Sequence, residues 1–215
     1  AIKLLQETLT ADPTNEGAGF LAVELMGRDA QTEPLVQQFL EKSPDSLPVR
    51  LGYARRLTSA QRYPEALAQT QRVTAKPDAP AAAWLMQGAL QIELGQPADA
   101  QNALLRYVAL QEADAAKAPE SATSDAGGEA TTDDDASPLG DGRRQALSQA
   151  YLMLAQTAEQ QKDYNGAQAW LDKLGSTADG GQALQQRASL LARQGKLAQA
   201  RDLLRTVDTV ILDEV

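Results

Sequence analysis

The side chains that most often carry enzyme chemistry are sparse in this sequence. It contains neither histidine nor cysteine. That excludes disulfides, thiolate nucleophiles, Cys-x-x-Cys redox pairs and His-ligated zinc. It also removes the imidazole on which Ser–His–Asp and Cys–His catalysis depend. The 29 Asp and Glu residues leave carboxylate chemistry open in principle, but no carboxylate pair is set in a recognisable pocket pattern. The densest acidic run, Asp133-Asp134-Asp135, lacks the Asp-x-Asp-x-Asp-Gly spacing with which a calcium loop turns alternate oxygens towards one ion. No Gly-rich phosphate loop, His-Glu-x-x-His or sugar-nucleotide motif occurs. The expectation is a chain with no catalytic residues, no metal and no cofactor.

What remains to do chemistry is surface, and its character depends on the elements that build it. The chain has 215 residues, 43% of them hydrophobic but only 4% aromatic. Alanine alone accounts for 39. Ala, Leu and Gln dominate and β-branched residues are few, which favours helix over sheet. No apolar run approaches the ~20 residues that span a bilayer. The formal charge is −9, and residues 114–142 hold eight carboxylates against Lys117, a net −7. The remainder is close to neutral and has no long basic run, so nucleic acid and anionic membranes are not expected as partners.

Helix-like stretches of 12–15 residues alternate with short breaks. Gln61 to Ala66, Gly95 to Ala100, Lys162 to Ala167 and Gly195 to Ala200 share one turn-plus-helix-start pattern. Their closing alanines, Ala66 and Ala100, then Ala167 and Ala200, lie 34 and 33 residues apart. Trp84-Leu85-Met86-Gln87-Gly88 resembles a W-x-x-L-G opening with Gln87 in place of Leu, and Tyr151-Leu152-Met153-Leu154-Ala155 resembles it with Tyr for Trp. Ala1, Leu5, Thr8 and Pro13, then Thr32, Val36, Phe39 and Pro44, and Ala167, Leu171 and Leu174 follow an A-x3-F-x2-A-x4-P spacing. A period near 34 with two helices per period is the mark of the tetratricopeptide repeat. The sequence resembles that family over nearly all its length outside 114–142. The weakest unit is 15–44, where Gly17 and Gly19 stand where large residues are expected.

The resemblance implies an all-α fold, a right-handed α-solenoid of antiparallel helix pairs. A lone second helix is expected at 1–11. Pairs follow at 15–27 with 32–42, 47–60 with 64–75, 80–94 with 97–112, 143–161 with 164–174, and 181–194 with 197–207. The domain reading is helical repeats over 1–113, an acidic disordered insert over 114–142, and helical repeats with a tail over 143–215. Such an insert cannot offset its ordering entropy by burial. Pro34, Pro64 and Pro97 fit helix starts. Gly27, Gly95 and Gly195 fit left-handed helix ends, and Gly88 fits close packing. Entry at a second helix, and an apolar Val207 to Val215, suggest an excerpt of a longer array.

The family likeness further implies that first helices line a groove that takes extended peptides or partner helices. Carried over by position, the partner-binding candidates are Leu51, Arg55, Leu85, Ala89 and Ile92. Beyond the insert they are Gln149, Leu152, Gln156, Glu159, Gln185 and Ser189. Leu51, Leu85 and Leu152 can equally serve the inter-repeat core. One branch of the family grips chaperone C-termini with a basic clamp, and these three leucines occupy the clamp positions, so that partner is not expected. Trp84 reads as core and Trp170 as a partly exposed anchor. The functional expectation is a non-catalytic scaffold for a protein or peptide partner. The alternative is a recruiting or regulatory repeat segment of a larger enzyme. Arg outnumbers Lys by 13 to 7, which together with the family likeness points to a bacterial source and to the periplasm or cell envelope.

Overall fold

The computed structural model describes residues 2–29, 31–117, 138–174 and 180–212. Among them are eleven helices and no strand. They are α1 (Ile2–Ala11), α2 (Glu16–Leu25), α3 (Thr32–Lys42), α4 (Leu47–Ser59), α5 (Tyr63–Thr74), α6 (Ala81–Glu93), α7 (Pro97–Lys117), α8 (Pro138–Gln160), α9 (Tyr164–Lys173), α10 (Gly180–Arg193) and α11 (Leu197–Leu212). The fold is an all-α solenoid of antiparallel helix pairs. It divides into two compact units, Ala1–Gln96 and Pro97–Val215.

One turn recurs at four helix ends, and it explains why consecutive helices fold back as pairs. Gln61, Gly95, Lys162 and Gly195 are left-handed, with φ of 58, 67, 63 and 78°. After each, a six-to-one backbone bond closes the helix: Arg62 N to Leu57 O at 2.9 Å, Gln96 N to Gln91 O at 2.8 Å, Asp163 N to Ala158 O at 2.8 Å and Lys196 N to Leu191 O at 2.9 Å. This is a Schellman closure, which satisfies carbonyls that the helix end would orphan. A good starter follows, Pro64 and Pro97 among them, since a proline there forfeits no bond.

Gly27 departs from its expected left-handed role. Here α2 stops at Leu25 and the chain leaves through tighter bonds, Met26 N to Val23 O at 3.2 Å and Arg28 N to Leu25 O at 2.9 Å. Such i→i+3 bonds also satisfy helix-end carbonyls, without a left-handed residue. The Asp29 carboxylate then accepts from Gln31 N at 2.9 Å ahead of α3.

In the first unit, Leu5, Leu9, Val23, Val36, Phe39, Val49, Tyr53 and Leu57 are among the side chains of one buried cluster drawn from α1 to α6. Close approach of α2 to α3 depends on Gly19, whose missing side chain leaves room for the Phe39 ring. The substitution of small for large at 15–44 is thus compensated across the pair. In the second unit Ala155, Ala158, Ala167, Leu171, Leu174 and Leu190 form the cluster joining α8, α9 and α10.

Three boundaries differ from the sequence expectation. Asp114–Lys117 continue α7, carried by the helix formers Ala113, Ala115 and Ala116. Residues 138–142 open α8, with Pro138 as its first residue. The rest of the acidic insert, 118–137, lies outside the described residues. At the far end α11 runs on to Leu212. Among the described residues no helix is long and apolar enough to cross a membrane.

Candidate functional site

Helix α4 shows how the sequence assigns its two faces. At 100° per residue, Val49, Arg50, Tyr53, Ala54 and Leu57 fall on one side, and all five are buried. Leu51 and Arg55 fall on the other, half-buried and exposed respectively. The same division holds in α2, where Ala18, Gly19, Ala22 and Val23 are buried while Phe20 and Leu21 are 45% and 49% exposed. The two helices pack side by side. A side chain at Gly52 would meet Val23 Cγ1 at 3.1 Å and Phe20 Cε2 at 4.0 Å. Arg56 of α4 bonds Glu24 of α2 at 2.8 Å.

Phe20 thus lies beside Gly52 and near the Arg56–Glu24 ion pair, Leu21 is exposed about 100° further round α2, and Leu51 and Arg55 stand on the outer side of α4. The Arg55 guanidinium makes no ion pair among the described residues. Exposed apolar side chains on α2 and a guanidinium on the neighbouring α4 offer van der Waals area and one directed, charge-assisted hydrogen bond. Phe20 and Leu21 are absent from the sequence-based candidates. The signal was available: α2 reads Glu-Gly-Ala-Gly-Phe-Leu-Ala-Val-Glu-Leu, apolar on more than its buried side.

Further along the first unit, Leu85, Ala89 and Ile92 lie within about 60° of one another on α6, all half-buried. Trp84, expected in the core, is half-buried on the first turn of that helix, whose buried side is carried by Ala83, Gly88, Leu90 and Gln91. α6 is held to α5 by Thr74 Oγ1 donating to Gln87 Oε1 at 2.5 Å.

In the second unit, Gln149, Leu152, Gln156 and Glu159 share one face of α8, opposite the buried Ala150, Leu154 and Ala158. Gln149 and Gln156 are exposed. Leu152 packs partly against the core cluster. Glu159 is committed to Arg193 of α10 at 2.8 Å. On α10, Gln185 and Ser189 are exposed. Trp170 is half-buried rather than free: it stacks on Tyr151, centroids 5.9 Å apart, and Lys173 Nζ stands 4.6 Å from its ring centre. Its indole face therefore already has a cation partner.

The strongest electrostatics of the first unit lie elsewhere, between α3, α4 and α5. Glu33 accepts from the Tyr53 hydroxyl at 2.7 Å and from Arg62 at 2.8 Å. The Arg62 hydrogen bond, with help from Tyr53, holds the Glu33 carboxyl below its usual range against the opposing effect of burial. Burial raises the Tyr53 phenol. Among the described residues no three acidic side chains converge as a metal site would need.

A tetratricopeptide-repeat family model matches residues 148–174. No curated protein matches the chain in sequence. Among solved structures, the chain is similar to PilW, described as a widely conserved type IV pilus biogenesis factor, at 19% identity and a TM-score of 0.61, covering 95% of this chain and 82% of that one. It is similar to YrrB, described as a tetratricopeptide-repeat protein with an unusual peptide-binding site, at 15% identity and a TM-score of 0.63, covering 94% and 89%. It is also similar to Pseudomonas aeruginosa PilF, at 14% identity and a TM-score of 0.55, covering 96% and 81%. Residues 148–174 are thus a tetratricopeptide repeat, and the chain has the helix-pair fold of tetratricopeptide-repeat proteins.

Proposed function

We propose that this chain is a non-catalytic protein-interaction scaffold whose first helices bind a peptide segment or partner helix. The observation that carries the reading is the α2–α4 surface of the first unit. Two large apolar side chains of α2, Phe20 and Leu21, are about half exposed there, and the neighbouring α4 carries Leu51 and Arg55 on its outer side, Arg55 with no ion pair among the described residues. Exposed apolar side chains grouped with a polar rim mark interaction sites more often than scattered ones do. The occupant this surface suits is an amphipathic segment. Its apolar residues would cover Phe20, Leu21 and Leu51, and a carboxylate would meet Arg55. A fold neighbour described as binding peptide supports the mode of action. In the second unit, the Gln149–Gln156 face of α8 and Gln185 of α10 supply amides suited to peptide backbone. The description of one neighbour as a type IV pilus biogenesis factor is compatible with the cell-envelope expectation and suggests assembly factors as the partner class.

The test is peptide selection by display against the whole chain, followed by fluorescence anisotropy on the selected peptides. Leu21→Glu and Leu51→Glu should each weaken binding about tenfold or more, equal to ~1.4 kcal/mol, with the melting temperature unchanged. Peptides bound equally well by both variants would overturn the assignment of this surface.

A further inference from the structure

A second surface of the first unit, on the far side of α4 from Leu51 and Arg55, is built differently. Between α3 and α5 lies a cleft of about 390 Å³ floored by α4, within the size range of sites that take a small group. Its floor holds Arg50, only 3% exposed. A charged side chain so deep is ordinarily paired with an opposite charge. Arg50 instead bonds neutral oxygens: Nε and Nη2 donate to Pro44 O at 3.2 and 2.7 Å, and Nη1 donates to Gln69 Oε1 at 2.6 Å. A guanidinium has five N–H donors, so these three bonds fix its plane and leave two.

Other charges around the cleft tip the balance. Arg72 lines the wall close enough to Arg50 for repulsion, which joins burial in lowering the Arg50 pKa. Among the described residues Arg72 has no ion pair. Glu65 also lines the cleft but is taken up by Arg62. Asp45 also acts on Arg50, attracting it, but is itself paired with Lys76 at 2.5 Å, and Glu41 lines the cleft with no ion pair among the described residues. Among the described residues two guanidiniums therefore line the cleft against one carboxylate without an ion pair, beside the amides of Gln37 and Gln69. Packing between the helices does not require this: an aliphatic side chain at position 50 would fill the same floor without burying a charge.

We propose that the α3–α4–α5 cleft is a second docking site, which takes a glutamate or aspartate side chain of an acidic segment on a partner protein. The carboxylate sits between Arg72 and the spare N–H groups of Arg50, with Glu41 at the rim limiting how much negative charge enters. The site is independent of the groove surface and uses the opposite side of α4. A partner could therefore be held at two places, or two partners at once.

The experiment uses the whole ¹⁵N-labelled chain and two capped tetrapeptides, acetyl-Leu-Glu-Glu-Leu-amide and its Gln-Gln counterpart. The Arg50 Nε–H and Gln69 side-chain amide signals are followed by NMR. The Glu-Glu peptide should shift both signals saturably, with a Kd of about 1 mM or tighter, and the Gln-Gln peptide should not. Arg72→Gln should weaken binding about tenfold. Glu41→Gln should tighten it about threefold. Both substituted residues are exposed, so both variants should fold, and the opposite signs separate recognition from general damage. Four results would each overturn the proposal: equal shifts from the two peptides, no effect of either variant, an equal response to inorganic phosphate at the same concentration, or shifts confined to the α2–α4 surface. The first three leave peptide binding at Phe20, Leu21 and Leu51 untouched and the fourth would favour it, and the groove variants test that binding separately.

Discussion

Two glycines of α2, two residues apart, should respond to the same substitution with opposite signs. A Cβ added at Gly19 would lie 2.8 Å from Phe39 Cγ and 2.9 Å from both Cδ atoms, whereas ordinary contact begins near 3.4 Å. The near edge of a ring is rigid, and Phe39 is 1% exposed, so relief requires α2 and α3 to separate or the core to shift by several tenths of an ångström. Overpacking of this kind costs about 1–3 kcal/mol. The alanine gains up to about 1 kcal/mol of helix propensity over glycine. Gly19→Ala should therefore destabilise the first unit by about 1 kcal/mol, equal to a melting shift of roughly 4–8 °C for a unit near 100 residues. At Gly17 the added Cβ meets only Asn15 Oδ1 at 3.5 Å, so Gly17→Ala keeps the propensity gain and should stabilise by about 0.5 kcal/mol. The assay is urea unfolding in a Trp170→Phe background, where the fluorescence of Trp84 on α6 reports the first unit alone. A double-mutant cycle with Phe39→Leu should remove most of the Gly19→Ala penalty. If Gly19→Ala stabilises as Gly17→Ala does, the close α2–α3 approach does not rest on this glycine and the reasoning fails.

Three further outcomes are expected. Gln61→Gly and Lys162→Gly should each stabilise by roughly 0.5–1 kcal/mol in chemical unfolding, because a left-handed conformation strains a side-chain-bearing residue; the same change at exposed, mid-helical Gln71 should destabilise. The Glu33 carboxyl is held below its ordinary value of 4.5 chiefly by the Arg62 hydrogen bond. Its stabilising contribution is complete above that value and lost as the pH falls through the lower, folded value. Wild type and Glu33→Gln should therefore differ most in melting temperature near pH 7 and converge well below pH 4.5. Replacing 118–137 by eight Gly or Ser residues removes six carboxylates and takes the chain from −9 to −3. Because closure entropy varies slowly with length, stability should change by about 1 kcal/mol or less in the same unfolding assay.

The helical frame was legible because each unit repeats one instruction. Residues 61–66, 95–100, 162–167 and 195–200 encode a left-handed stop and a new start, and the structure executes the same six-to-one closure at all four. Two of the four stops are glycine and two are Gln and Lys, so composition alone would have found half of them. The α2–α3 link breaks the pattern, and there the expected left-handed Gly27 failed. The end of α7 departs from expectation for a different reason. Acidic and small residues between 113 and 117 read as loop by charge, but alanine propensity carries the helix through them.

The candidate surfaces were harder to read, and the two omissions have different causes. Family spacing directs attention to positions that match a motif, and α2 matches poorly because Gly19 is small where a large residue is expected. Yet Phe39 of α3 supplies the missing volume from across the pair, so the helix still packs and still presents Phe20 and Leu21. The Arg50 cleft escaped because a charged residue in a helix is assumed to face water. Its position argues otherwise: Arg50, Tyr53 and Leu57 are spaced i, i+3 and i+7, and that spacing puts all three on the buried stripe. A charge at an inward helical position carries a desolvation cost that aliphatic packing avoids. Such a position can be found in sequence by periodicity alone. Whether the guanidinium meets a carboxylate there or only neutral oxygens depends on residues 6 and 19 positions away, and only the folded pair shows it.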